Sequence, residues 1–162
     1  MPFTPLHMGP GLIVKACMQG AFSLMVFGWT QILIDIQPLI VMISGKGELH
    51  GFSHTYIGAT FIAIAAALTG KYLGEIGLRI FRMQEYNPIA WRVAIVSAFI
   101  GGYSHVFIDS IMHADITPLP PYSDRSVFYG FVSIDTLHIL CLGGAVVGGV
   151  GFYVIERIRK KS

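Results

Sequence analysis

The sequence predicts an all-α fold: an integral membrane helical bundle of four to five hydrophobic helices, forming one domain over residues 1–162. Three observations carry that expectation. The chain is 54% hydrophobic and only 12% charged, with mean hydropathy +0.65, whereas a soluble domain carries roughly 25% charged residues. Apolar runs near the ~20 residues that a membrane crossing needs recur along the chain. The ionisable residues collect between those runs or at their ends.

Residues 1–8 form a short proline-containing lead, and Gly9-Pro10-Gly11 follows. The apolar run 12–43 is interrupted by charge only at Lys15 and Asp35 and is too long for one ordinary span. It reads as a helical hairpin, turning at Gly20 or Gly28-Trp29, or as an interfacial helix leading into a span. Residues 44–54 are a loop by glycine and charge content. An Ala- and Ile-rich helix follows over 55–73. The segment 71–92 holds Lys71, Glu75, Arg79, Arg82, Glu85 and Arg92 and reads as a basic amphipathic connector broken at Asn87-Pro88. Residues 89–110 are a clear span. Residues 114–126, with Pro118, Pro120, Pro121, Asp115 and Asp124, form an extended loop. The last span, 132–155, contains Gly143-Gly144 and Gly148-Gly149, which permit close helix approach.

Composition also excludes some functions. The net charge is +2, with no polybasic tract among interleaved aromatics, so nucleic acid is not an expected partner. Cys17 and Cys141 sit far apart in apolar runs and read as buried free thiols. The N-terminus lacks the basic region and cleavage site of a secretory signal, so the chain reads as mature. The bilayer is the expected partner. The basic flanks, 71–92 and the C-terminal tail, belong in the cytoplasm by the positive-inside rule. Loops 44–54 and 114–131 then lie outside, consistent with a prokaryotic inner-membrane protein.

That topology brings nearly all the histidines to one membrane face. His105, Asp109 and His113 follow one another at four-residue spacing, which on a helix stacks them on one stripe. Ionisable groups in membrane helices are costly and turn to the bundle interior or a polar cavity. A metal offsets that cost: imidazole and carboxylate bind zinc, and carboxylates also suit manganese. The candidate ligands are His7, Asp35, His54, His105, Asp109 and His113, for one or two Zn2+ or Mn2+ ions. Asp35 stands deep in an apolar run without a basic neighbour. His54 has a plainer alternative as an interfacial residue, and His7 and His50 as loop histidines. His113 has one as a solvated helix end, and Asp135 and His138 as a helix cap and an interfacial pair. Asp115 and Asp124 read as turn residues.

The order of the motifs resembles the membrane-bound metal-dependent hydrolases, the family of the LexA-regulated inner-membrane hydrolase. The matching stretches are Thr4-Pro5-Leu6-His7, Leu33-Ile34-Asp35-Ile36-Gln37-Pro38, His50-Gly51-Phe52-Ser53-His54-Thr55, and Ser104-His105-Val106-Phe107-Ile108-Asp109 with the later Thr117-Pro118. They cover about residues 4–120. Gln37 departs from the family's second acid, and His50 stands where the family has Arg. Ser110 to Ile116 form a wider spacer that contributes His113 and Asp115. The same order is distantly similar to the metal sites of zinc phospholipase C and single-strand nucleases. That likeness implies Asp35, His54 and His105 as ligands of one metal. Asp109 would complete that site or bridge to a second ion bound with His7.

The resulting expectation is a membrane-bound hydrolase acting on a phosphoester or lipid-linked substrate through metal-activated water, with Asp35 or Asp109 orienting it. A metal lowers the pKa of bound water far below that of bulk water, to about 7. The alternative is a non-enzymatic membrane protein: a metal-binding or transport subunit, a haem protein ligated by paired histidines, or an accessory bundle without activity. Nothing in the sequence sets the oligomeric state.

Overall fold

The computed structural model describes residues 5–122, 126 and 128–161. Thr4 of the first motif and Asp124 therefore lie outside the described residues. These residues form five α-helices and no strand: α1 (Met8–Met18), α2 (Leu24–Ser44), α3 (Tyr56–Ile80), α4 (Trp91–Met112) and α5 (Ile134–Arg159). The last four are long and apolar enough to cross a membrane.

Of the two readings of residues 12–43, the structure has the hairpin. At ~1.5 Å per residue α1 is only about 16 Å long, half of a bilayer crossing. A tight turn over Gln19–Ala21 reverses the chain, so Gly20 marks the bend. Ser23 caps α2 through the Val26 amide and ties it to α4, its own amide donating to Ser97 Oγ at 2.8 Å.

Helices α2, α3 and α4 form the core. Its buried side chains are small: Ala59, Ala63, Ala66, Ala94 and Ala98 are fully buried beside Val26 and Ile34. Lipid gives no hydrophobic force between helices, so close packing through small residues is what holds such a bundle. The apolar outer faces fit the same solvent. Phe61 of α3 and Ile139, Val146 and Val147 of α5 stand more than 60% exposed.

Two glycine contacts position the elements that matter below. A Cβ on Gly101 would crowd Thr30 and Phe27 of α2, and one on Gly102 would crowd Ala59 of α3. Their absence lets α4 nest between α2 and α3, one turn before His105. A Cβ on Gly9 would strike the backbone of Cys141, and one on Gly148 the backbone of Leu12 and Ile13. Helices α1 and α5 therefore run in the same direction in close backbone contact. Gly143 and Gly149 meet nothing, so only half of the glycine cluster of α5 serves this interface.

Helix α3 continues past residue 73 to Ile80, taking in Lys71, Glu75 and Arg79 of the expected connector. Their four-residue spacing suits a helix, and Lys71 pairs with Glu75. The remaining connector and the C-terminal end lie together: Lys160 Nζ stands 3.3 Å from Glu85, and Tyr86 donates a hydrogen bond to Glu156. The loops after α2 and α4 occupy the other end, where the Tyr56 amide donates to the Pro118 carbonyl at 3.0 Å.

Candidate metal centre

Each member of the expected cluster reaches the site by a local device. Asp35 projects from α2, one turn before Pro38. His54 ends a short turn, Phe52–His54, just before α3. That turn is braced twice. Thr55 caps α3 by accepting from the Gly58 amide and donates to the Phe52 carbonyl, both at 2.9 Å. Gln37 of α2 accepts from the Ser53 amide at 2.8 Å. The residue that stands where the resembled family has an acid thus holds the turn that presents His54. His105 and Asp109 lie one turn apart on α4, facing α2 and α3.

The result is a compact buried group. Asp35, His54, His105 and Asp109 each offer a ligand atom, all within 4.8 Å of one another. None of the four residues is more than 5% exposed. Nε2 of His105 lies 3.1 Å from Asp109 Oδ2 and 3.4 Å from Asp35 Oδ1. Nε2 of His54 lies 3.3 Å from Asp109 Oδ2 and 3.9 Å from Asp35 Oδ1. These are close charge contacts without hydrogen-bond alignment: both Nε2 atoms are buried and have no hydrogen-bond partner.

The opposite ring nitrogens are held. His105 Nδ1 lies 2.6 Å from Gln31 Oε1, and the Gln31 amide nitrogen donates to the Gly101 carbonyl at 3.0 Å. That second bond orients the amide so that its oxygen faces the imidazole, making Nδ1 a protonated nitrogen and leaving Nε2 toward the carboxylates. His54 Nδ1 is held likewise by Ser53 Oγ at 2.9 Å. Burial pushes the His54 pKa down against the pull of Asp109, favouring the neutral imidazole that ligates metal. An imidazole fixed at one nitrogen and aimed by the other is the usual arrangement of a metal-ligating histidine. The residues present therefore fit a divalent cation.

His7 stands beside this group rather than within it. Its Nε2 is 2.9 Å from Asp109 Oδ1, and its ring stacks on His105 at 4.5 Å. His113 stands at the end of the stripe: α4 ends at Met112, and the His113 amide still donates to the Asp109 carbonyl at 2.9 Å. It packs on His50, ring centroids 4.3 Å apart. His50, Asp109 and His113 make a second group whose ligand atoms lie within 4.8 Å of one another. Burial, then the neighbouring His50, lowers the His113 pKa. Asp115, expected as a turn residue, is 2.8 Å from His50 Nδ1. Burial acts to raise its pKa, but this hydrogen bond, the nearby His50 and His113 charges and a backbone hydrogen bond together outweigh it and hold the carboxyl below the usual range. Asp135 lies exposed in the first turn of α5 and His138 is half-buried there; neither belongs to the two groups.

Gln31 and Ser53 are the positioning residues that sequence reasoning missed. Gln31 carried a signal, since it lies one turn before Asp35 in an apolar helix and so shares its stripe. No family model matches the chain, and no curated protein or solved structure matches it.

Proposed function

We propose that this chain is a membrane-embedded, metal-dependent hydrolase of the kind its motifs resemble, holding Zn2+ or Mn2+ among Asp35, His54, His105 and Asp109. The observation that carries this reading is the pair of buried, unpartnered Nε2 atoms aimed at two carboxylates. Leaving a buried polar atom unpaired costs about 1–3 kcal/mol. Two such atoms on one centre, each with its ring pinned from behind, are accounted for by a cation.

A divalent ion here would supply Lewis acidity and water of lowered pKa. The chain's own residues do the rest. Gln31 and Ser53 fix the imidazoles, His7 fixes Asp109, and Asp35 and Asp109 are the carboxylates placed to orient water and take up its proton. The proposed substrate is a phosphoester, in a lipid or lipid-linked molecule. His105 sits about 10 Å from the Met112 end of α4 and about 21 Å from the Trp91 end, at ~1.5 Å per residue. That depth suits a headgroup entering from the loop side. The basic residues Arg79, Arg82, Arg157 and Arg159 at the other end favour a cytoplasmic C-terminus and an outward-facing site.

The non-enzymatic readings are less well supported. The carboxylates against both Nε2 atoms favour a compact cation over haem. The gathering of ligands at one depth favours a fixed site over a transport path. The test is metal analysis of purified protein prepared without chelator, beside His105→Ala and Asp109→Ala, followed by a phosphodiesterase and phosphatase panel. We expect stoichiometric metal in the wild type and its loss in both variants. Wild-type protein without metal sinks the metal reading. Metal retained in both variants sinks the ligand assignment. Metal-loaded protein inactive on every phosphoester sinks the proposed reaction.

A further inference from the structure

The second group, His50, Asp109 and His113, is not used by the four-residue centre except through Asp109. It is built in the same manner. His50 is buried, its side chain 5% exposed, and its Nδ1 is held by Asp115, whose side chain is 59% exposed. The Nε2 of His50 is the nitrogen left to coordinate. This is the same pinning that Gln31 gives His105 and Ser53 gives His54, here by a carboxylate, which also raises the basicity of the imidazole as a ligand. His113 meets it at the end of α4, ring centroids 4.3 Å apart.

The placement of this group gives it a distinct role. His50 touches the inner centre, its ring centroid 4.9 Å from that of His54. It also lines a cavity of about 590 Å³ at the loop end, together with Glu48, Thr55, Asp115 and Thr117. None of the four inner residues lines that cavity. Of the outer group His50 lines the cavity, and it is His50 that stands between the buried centre and the open space beside it. The charge there is negative. Glu48 and Asp115 line the cavity without any Lys or Arg, and among the described residues Asp109 is paired only with imidazoles. An anionic substrate approaching such a wall would be repelled unless cations stand in it.

We infer that His50, Asp109 and His113 form a second, outer divalent-cation site, with Asp109 shared between it and the inner centre. The inference rests on the metal reading of the inner centre. Two imidazole nitrogens and one carboxylate oxygen suit Zn2+ or Mn2+ rather than calcium. The outer ion lies beside His50, which lines the cavity, whereas none of the four inner residues does. The outer ion supplies the positive charge that a phosphoryl group would meet first.

The experiment is Mn2+ titration of the purified, detergent-solubilised full chain after chelator treatment, read by metal analysis and electron paramagnetic resonance. The wild type is expected to bind two Mn2+ per chain with a spin-coupled spectrum, and a brief chelator pulse to remove the outer ion first. His113→Ala is expected to bind one Mn2+ with an uncoupled spectrum. Asp115→Asn, a change at an exposed position, is expected to weaken the outer ion about 10–100-fold and leave the inner one unchanged. It decides the question if His113→Ala does not fold. One ion in the wild type, equally in both variants, overturns the outer site and leaves the inner reading standing. Two ions in all three proteins with unchanged affinity overturn this ligand set. No ion in the wild type overturns both readings.

Discussion

The two ends of the bundle treat ionisable residues in opposite ways. At the end bearing the 3-4 connector and the C-terminus, charges find partners within the chain. The buried Lys15 ammonium donates to the carbonyls of Gln19 and Phe22 at 2.7 and 2.8 Å and lies over the Tyr86 and Phe152 rings. Lys71 pairs with Glu75, and Lys160 lies 3.3 Å from Glu85 and 3.5 Å from Glu156. At the loop end, acids and imidazoles accumulate instead, and the described residues bring two Nε2 atoms to carboxylates without completing a hydrogen bond. The first arrangement satisfies Lys15, Lys71 and Lys160 within the chain, while that end as a whole stays basic. In the second, two buried imidazole nitrogens face two carboxylates, the arrangement that the proposed cation would complete.

That contrast can be broken most directly by removing a proposed ligand, as His105→Ala does; the loss should exceed the 10–100-fold that a supporting residue costs. Next comes Gln31→Leu, which leaves every proposed ligand in place but releases His105 Nδ1. We expect metal affinity to fall about 10–100-fold, read by competition with a chelator of known affinity, with helicity unchanged. If Gln31→Leu binds metal like the wild type, the pinning of His105 is only structural. Ser53→Ala should cost about tenfold, the low end of that range, because Gln37 still holds the turn by its backbone. Lys160→Ala, at the other end, should leave metal content and thermal midpoint unchanged, since exposed ion pairs contribute little. A drop in metal there would erase the contrast between the ends.

The helices that cross and the residues that cluster were legible for one reason. In an apolar run, a carboxylate such as Asp35 or a pair such as His105 and Asp109 stands out, because the surrounding solvent makes it costly. What escaped was set by contacts between elements. The choice between hairpin and interfacial helix for residues 12–43 depends on the fit of α1 against α5. The contact of His50 with His113 depends on where the loop after α2 is carried, which no spacing along the chain records. Gln31 and Ser53 are neutral side chains whose importance appears only once His105 and His54 are beside them. The charges at 71–79 suggested a connector, yet their spacing allowed α3 to run on through them.

The backbone contact between α1 and α5 couples distant parts of the chain. His7 stands at the head of α1, and α1 is seated on α5 where Gly148 meets Leu12 and Ile13. A side chain at Gly148 would press on backbone, so no rotamer change could relieve it; α1 would have to slide or lift. Either movement draws His7 away from Asp109 Oδ1. The lipid-facing last helix, which donates no group to either cluster, thus acts as the keyway that registers an imidazole more than a hundred residues earlier in the chain. Substitution on the face of α5 that meets α1 is therefore constrained: a position that contributes nothing to either cluster carries the alignment of the buried His7–Asp109 pair.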